Sequence, residues 1–92
     1  MSHITGAQKE LVARINRIQG QLDAIREAVQ EEEECATLLQ QVAACRGGIN
    51  GLMAEIIERE IKCHVLPPNT RANSPEANAA DEVIEMVRRY IK

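Results

Sequence analysis

The chain has 92 residues, 45% apolar and 27% charged, with a net charge of −3. That is room for one small domain, 1–92, with a marginal core unless metals, disulfides or further copies reinforce it. Trp and Phe are absent and Tyr90 is the single aromatic residue, which excludes ring platforms that stack single-stranded bases.

Three helices are predicted, so the fold class is all-α. From about Thr5 to Val29, the residues Leu11, Ile15, Ile18, Leu22, Ile25 and Val29 alternate steps of four and three, a helical stripe with a heptad-like seam. A second helix is predicted from about Glu33 to Cys63 or His64. Its stripe Leu38, Val42, Cys45, Ile49, Leu52 and Ile56 is widened by Leu39, Met53, Ile57 and Ile61. The run Glu31 to Glu34 places carboxylates at its dipole-positive end, and Pro67-Pro68 stops it. Ser74-Pro75-Glu76 reads as an N-cap, a first-turn proline and a first-turn acid. The third helix should bury Ala79 or Ala80, Val83, Val87 and Tyr90 or Ile91.

About 30 residues at 1.5 Å each make the second helix a rod of roughly 45 Å. A compact chain of this length has a radius of gyration near 12 Å, so the rod outruns any core that one copy can build. Its wide stripe calls for another subunit. Gly47, Gly48 and Gly51 each cost roughly 1 kcal/mol in a helix interior. They mark either a kink or, the favoured reading, a crossing where another helix approaches closely.

Cys35, Cys45 and Cys63 are odd in number and widely spaced, so they read as free thiols or ligands rather than a disulfide frame. No apolar run reaches the roughly 20 residues of a membrane span, and no signal peptide is apparent. The expectation is a cytoplasmic protein without a membrane partner. Candidate ligands are His3, Cys35, Cys45, Glu60, Cys63 and His64. Glu60 and His64, i and i+4, share a helix face. Cys35 lies about 38 Å of helix rise before Glu60, so one straight helix cannot close a site from both ends. Two antiparallel copies crossing near Gly48 to Gly51 can, with Cys35 of one chain level with Glu60 and His64 of the other and His3 reaching over. Thiolate, imidazole and carboxylate together suit borderline divalent metals such as Ni, Co or Zn. Spacing alone does not separate this from a helix-end cysteine and histidine with no ligand role. Cys45 falls on the stripe as a small core residue, and Cys63, about 100° around the helix from His64, is a reserve ligand.

The acid excess is local. Residues 1–30 carry four Lys/Arg against three acids, 31–60 two against seven, and 61–92 five against four. Arg14 and Arg17, i and i+3, lie on one side of the first helix beside Gln21. They form either a solvated face or a phosphate-binding one.

Arg17-Ile-Gln-Gly-Gln-Leu, Glu34-Cys35, Leu38-Leu-Gln-Gln-Val-Ala-Ala, Arg46-Gly and Asn50-Gly-Leu-Met-Ala-Glu, in this order, resemble the CsoR/RcnR/FrmR family of small all-helical bacterial transcriptional repressors. The resemblance covers nearly the whole chain. It implies an antiparallel dimer that pairs into a homotetramer, binds double-stranded operator DNA without effector and releases it with effector, and is not an enzyme. It implies effector residues at His3, Cys35 and positions 60 and 64, and DNA contacts at Arg14, Arg17 and Arg46. His3, Cys35 and His64 are most similar to the nickel/cobalt type, which carries His where this chain has Glu60. The copper type has Cys where this chain has His64. The formaldehyde type pairs Cys35 with an N-terminal proline amine, where Ser2 follows Met1 here. The implied effector is therefore Ni or Co, with Zn and formaldehyde as alternatives, the last needing no metal. An alternative of another class is a metal-storage or chaperone protein that does not bind DNA.

Overall fold

The computed structural model describes the backbone of residues 5–91 and the side chains of residues 8–91. Its helices are α1 (Thr5–Gln30), α2 (Cys35–Glu60) and α3 (Pro75–Tyr90), with a wider π-helical turn at Ile61–Val65 continuing α2. No strand occurs among the described residues.

The acidic run belongs to the α1–α2 connection rather than to the first turn of α2. Glu32 takes a left-handed conformation (φ 56°), Glu33 N–H donates to the Ala28 carbonyl at 3.0 Å and Glu32 N–H to that of Val29 at 3.1 Å. These paired bonds close α1 by satisfying its last carbonyls. Glu34 then stands at the N-cap of α2 without a side-chain cap. At the far end, α2 gives way after Glu60 instead of staying α-helical to His64. Leu66 N–H reaches back to the Ile61 carbonyl at 3.0 Å. It is the last donor before Pro67, which has no N–H to offer and which holds Leu66 extended. α3 begins as predicted, with Ser74 Oγ accepting from Ala77 N–H at 3.1 Å and Pro75 in the first turn.

α1 and α2 form an antiparallel hairpin. Gly48 faces Ile18 and Gln21, Gly51 faces Arg14, and Arg59 reaches Glu10, so the numbers run in opposite directions along the two helices. The close approach at Gly48 and Gly51 is thus made by α1 of the same chain. These two glycines let another helix come close, as favoured from the sequence, whereas nothing lies within 4 Å of a Cβ at Gly47.

Each predicted stripe divides in two. On α1, Ile18 is buried and Leu11 and Ile25 are half-buried against α2, while Ile15, Leu22 and Val29 are 40%, 49% and 56% exposed. On α2, Cys45 is buried between half-buried Leu38 and Leu52, while Val42, Ile49 and Ile56 are exposed. Helical rotation puts both outward rows on the same side of the hairpin. α3 packs against the C-terminal half of α2, where Arg88 reaches Glu55 and Glu58. It buries Ala80 and Ile84, with Ala77, Val87 and Ile91 half-buried, whereas Val83 and Tyr90 are exposed. Ala80, Val87 and Ile91 thus face inward as predicted, and Val83 is corrected: Ile84 takes the buried position beside it. The apolar side of α3 is wider than its contact with α2, and Ala79, Val83, Met86 and Tyr90 form the edge left outside.

The protomer is a plate of 54 × 27 × 14 Å with a radius of gyration of 17.2 Å. Among the described residues Ile18, Ala28, Cys45, Ala54, Ala80 and Ile84 are buried, and no side chain falls below 2% exposure. The protomer leaves one broad apolar side uncovered, with Ile15, Leu22, Val29, Val42, Ile49 and Ile56 exposed.

Candidate functional site

Cys35 opens α2 and is exposed, and Glu60 closes it. Between them Leu39, Val42, Arg46, Ile49, Met53 and Ile56 step by four and three along one line, all exposed. The candidate effector residues are therefore the two ends of the uncovered seam. One chain does not bring them together, and no three His, Cys, Asp or Glu side chains converge on a common point among the described residues. The pair that does meet is Glu60 and His64, with the imidazole Nδ1 at 3.0 Å from Glu60 Oε1. A proton on Nδ1 donated to this carboxylate leaves the lone pair on Nε2. Cys63 is half-buried beside His64, and Cys45 is buried in the α1–α2 contact, as its place on the stripe predicted. His3 and Ser2 lie outside the described residues.

The three candidate DNA-contacting arginines differ in their surroundings. Arg17 and Arg46 are exposed. Arg14 is turned toward α2, its side chain 34% exposed and Nη2 at 3.9 Å from Glu55 Oε1. Spacing on α1 placed Arg14 and Arg17 on one side; packing against α2 gives them different roles in the protomer.

Around Glu55 lies an ion-pair network that the sequence did not disclose. Arg59 donates to Glu55 at 3.2 Å and to Glu10 at 3.3 Å. Arg88 from α3 donates to Glu55 at 3.4 Å and to Glu58, and Lys62 donates to Glu58 at 3.0 Å. The Arg88 hydrogen bond holds the Glu58 carboxyl below its ordinary range, helped by Lys62 and opposed by partial burial. Glu58 in turn raises Arg88. The i,i+4 spacing of Glu55–Arg59 and Glu58–Lys62 was the only signal available in the sequence; the bonds between helices depend on packing.

Over residues 7–89 the chain matches the family described as metal-sensitive transcriptional repressors. It is 38% identical to the transcriptional repressor RcnR of Salmonella paratyphi B, with all of both chains covered. It is 37% identical, again over the whole of both, to an uncharacterised protein in the bioA 5′ region of Serratia marcescens. Among solved structures it is similar to a Glu-to-His variant of the formaldehyde-responsive regulator FrmR from Salmonella enterica serovar Typhimurium. That likeness has 34% identity and a TM-score of 0.64 over 90% of this chain and 92% of the other. By this kinship the all-α chain is a transcriptional regulator rather than an enzyme. The chain belongs to the metal-sensitive transcriptional repressor family, as its motifs implied. No described helix is long and apolar enough to cross a membrane.

Proposed function

We propose that the protein is a single-domain, effector-responsive repressor which binds double-stranded operator DNA as a homotetramer and leaves it when Ni(II) or Co(II) binds between chains. The observation that carries this reading is the line along α2, with Cys35 at one end, Glu60 and His64 at the other, and an uncovered apolar seam between them. A second copy laid antiparallel on that seam covers Val42, Ile49 and Ile56. It sets Cys35 of one chain level with Glu60 and His64 of the other, twice per dimer. Pairing of dimers gives the tetramer.

The donors fit such an ion. A thiolate, an imidazole and a carboxylate form a mixed set suited to Ni, Co or Zn, with His3 and the N-terminal amine completing it from the arm. A bound ion supplies a cross-link among these donors. Cys35 and His64 then tie the start of one α2 to the end of its partner and draw the arm down over both. This biases the tetramer toward a shape whose basic residues, Arg14, Arg17 and Arg46, no longer match the DNA backbone. The bias is limited by the ion's preference for one shape over the other.

Equilibrium titration with Ni(II) and Co(II) tests the effector. Cys35→Ala and His64→Leu should each abolish binding, and affinity should rise with pH because a ligating thiol must lose its proton. Binding to operator DNA should fall steeply with salt through counterion release and be lost in the double variant Arg14→Ala/Arg46→Ala. A flat salt dependence would instead favour a metal-storage or chaperone protein.

The likeness to FrmR, together with an accessible Cys35, favours a second reading. Formaldehyde would join the Cys35 sulfur to the Ser2 amine through one methylene carbon, with loss of water, once Met1 is removed. Here His64→Leu leaves the response intact while Cys35→Ala abolishes it. A protein that binds neither metal more tightly than micromolar but gains one bridging carbon in mass on formaldehyde treatment decides for this reading.

A further inference from the structure

Glu55 sits where all three helices meet, its side chain 13% exposed. Its two oxygens are already engaged by hydrogen bonds: Oε2 accepts from Arg59 at 3.2 Å and Oε1 from Arg88 at 3.4 Å. Arg14 is the third cation on the same carboxylate, and the most distant at 3.9 Å, beyond hydrogen-bond reach. Its guanidinium lies across α2 at Gly51, where a Cβ would come within 2.9 Å of Nη1. A side chain at Gly51 would require the Arg14 guanidinium to shift from this position. Both features point the same way. Arg14 is held close to the protein surface by a counter-ion whose better bonds go elsewhere.

We propose that Glu55 is a positioning residue for DNA binding: it holds Arg14 against α2 in the DNA-free protein, and a backbone phosphate displaces it as the arginine's anion. The proposal rests on the reading of Arg14 as a DNA contact. A guanidinium pairs with phosphate through two parallel N–H···O bonds, whereas the Glu55 oxygens offer Arg14 only a longer-range attraction. Arg14 is about one-third exposed, so it can exchange one anion for the other without unfolding the hairpin. Arg59 and Arg88 keep Glu55 in place when Arg14 leaves. Glu55 thus lowers affinity for every duplex equally, because it competes for a phosphate contact rather than a base contact.

The test is a double-mutant cycle with a fluorescein-labelled duplex carrying the DNA upstream of the protein's own gene, using effector-free protein at low salt. Glu55→Gln keeps the shape and removes the competing charge. It should tighten binding about two- to fivefold, the scale of one partly exposed ion pair. In an Arg14→Ala background the same change should have no effect. Glu55→Asp shortens the side chain while keeping the charge for Arg59, so it should give a smaller gain of the same sign in a fold at less risk. If Arg14→Ala leaves DNA binding unaltered, the reading of Arg14 as a DNA contact fails and takes the proposal with it. If Arg14→Ala weakens binding but neither Glu55 variant tightens it, the proposal alone is overturned. A gain that persists without Arg14 overturns it as well, because Glu55 would then act by plain repulsion of the duplex.

Discussion

Gly48 of α2 faces Ile18 of α1 so closely that a Cβ added at Gly48 would stand 3.3 Å from Ile18 Cγ1 and 3.2 Å from Gln21 Oε1. Ile18 is one of the few buried residues of the protomer, so this contact sets the distance between the two longest helices.

Gly47, one residue earlier, has open space where its side chain would be. Replacing a mid-helix glycine by alanine gains up to about 1 kcal/mol when nothing is in the way. Gly47→Ala should therefore raise the unfolding midpoint. Gly48→Ala should show no such gain, because Ile18 and Gln21 must move to admit the methyl group. Thermal unfolding of the two variants side by side checks this, and equal gains would mean that Gly48 does not set the spacing.

Glu32 holds a left-handed backbone, φ 56°, at the end of α1. Glycine occupies that position at no steric cost, although it adds freedom to the unfolded chain. Glu32→Gly is expected to stabilise the fold by about 0.5–1 kcal/mol, the balance of these two effects. Urea unfolding measures it; a loss of stability would show that the turn holds Glu32 by something other than backbone geometry.

Glu58 is held below its ordinary value of 4.5, first by the Arg88 hydrogen bond. A depressed carboxyl contributes stability that is present above its unfolded pKa and lost as pH falls through its folded pKa. The raised Arg88 is the other half of the same pair: it stays charged through the neutral and acid range, so the pair is lost with the Glu58 charge in acid and with the Arg88 proton only under strongly alkaline conditions. Removing the carboxylate with Glu58→Gln should thus flatten the acid limb of the stability–pH curve while lowering stability at neutral pH. An acid limb as steep as that of the unaltered protein would assign the acid sensitivity to other carboxylates.

Ile49 lies at the middle of the uncovered seam and is 44% exposed in the protomer. Aspartate there costs the protomer's own packing little, yet it buries a charge wherever a second copy covers the seam. Ile49→Asp should shift the sedimentation profile from the proposed tetramer to smaller species with its helical content retained. An unaltered protein that sediments as a protomer at micromolar concentration would remove the basis for the intersubunit site.

Ser74 as cap, Pro75 as first-turn residue and Pro67-Pro68 as stop were legible because each acts through its own backbone chemistry, which needs no neighbour. The apolar stripes of α1 and α2 were equally plain, and so was the conclusion that one copy cannot cover them, since it followed from helix rise and chain length. Which row of each stripe faces inward was not legible. Ile18 and Ile15, or Leu52 and Ile49, are equivalent by spacing, and only the docking of α1 on α2 chose Ile18 and Leu52 for the inner rows. The same holds for the site. The sequence put Cys35 and Glu60 at opposite ends of one line, because helical periodicity determines a line. It left open that Arg14 turns inward to Glu55 while Arg17 stays in solvent, and that α1 of the same chain fills the approach at Gly48 and Gly51. A helix wheel assigns a direction to each side chain, but what it meets in that direction is decided by packing between helices distant in sequence.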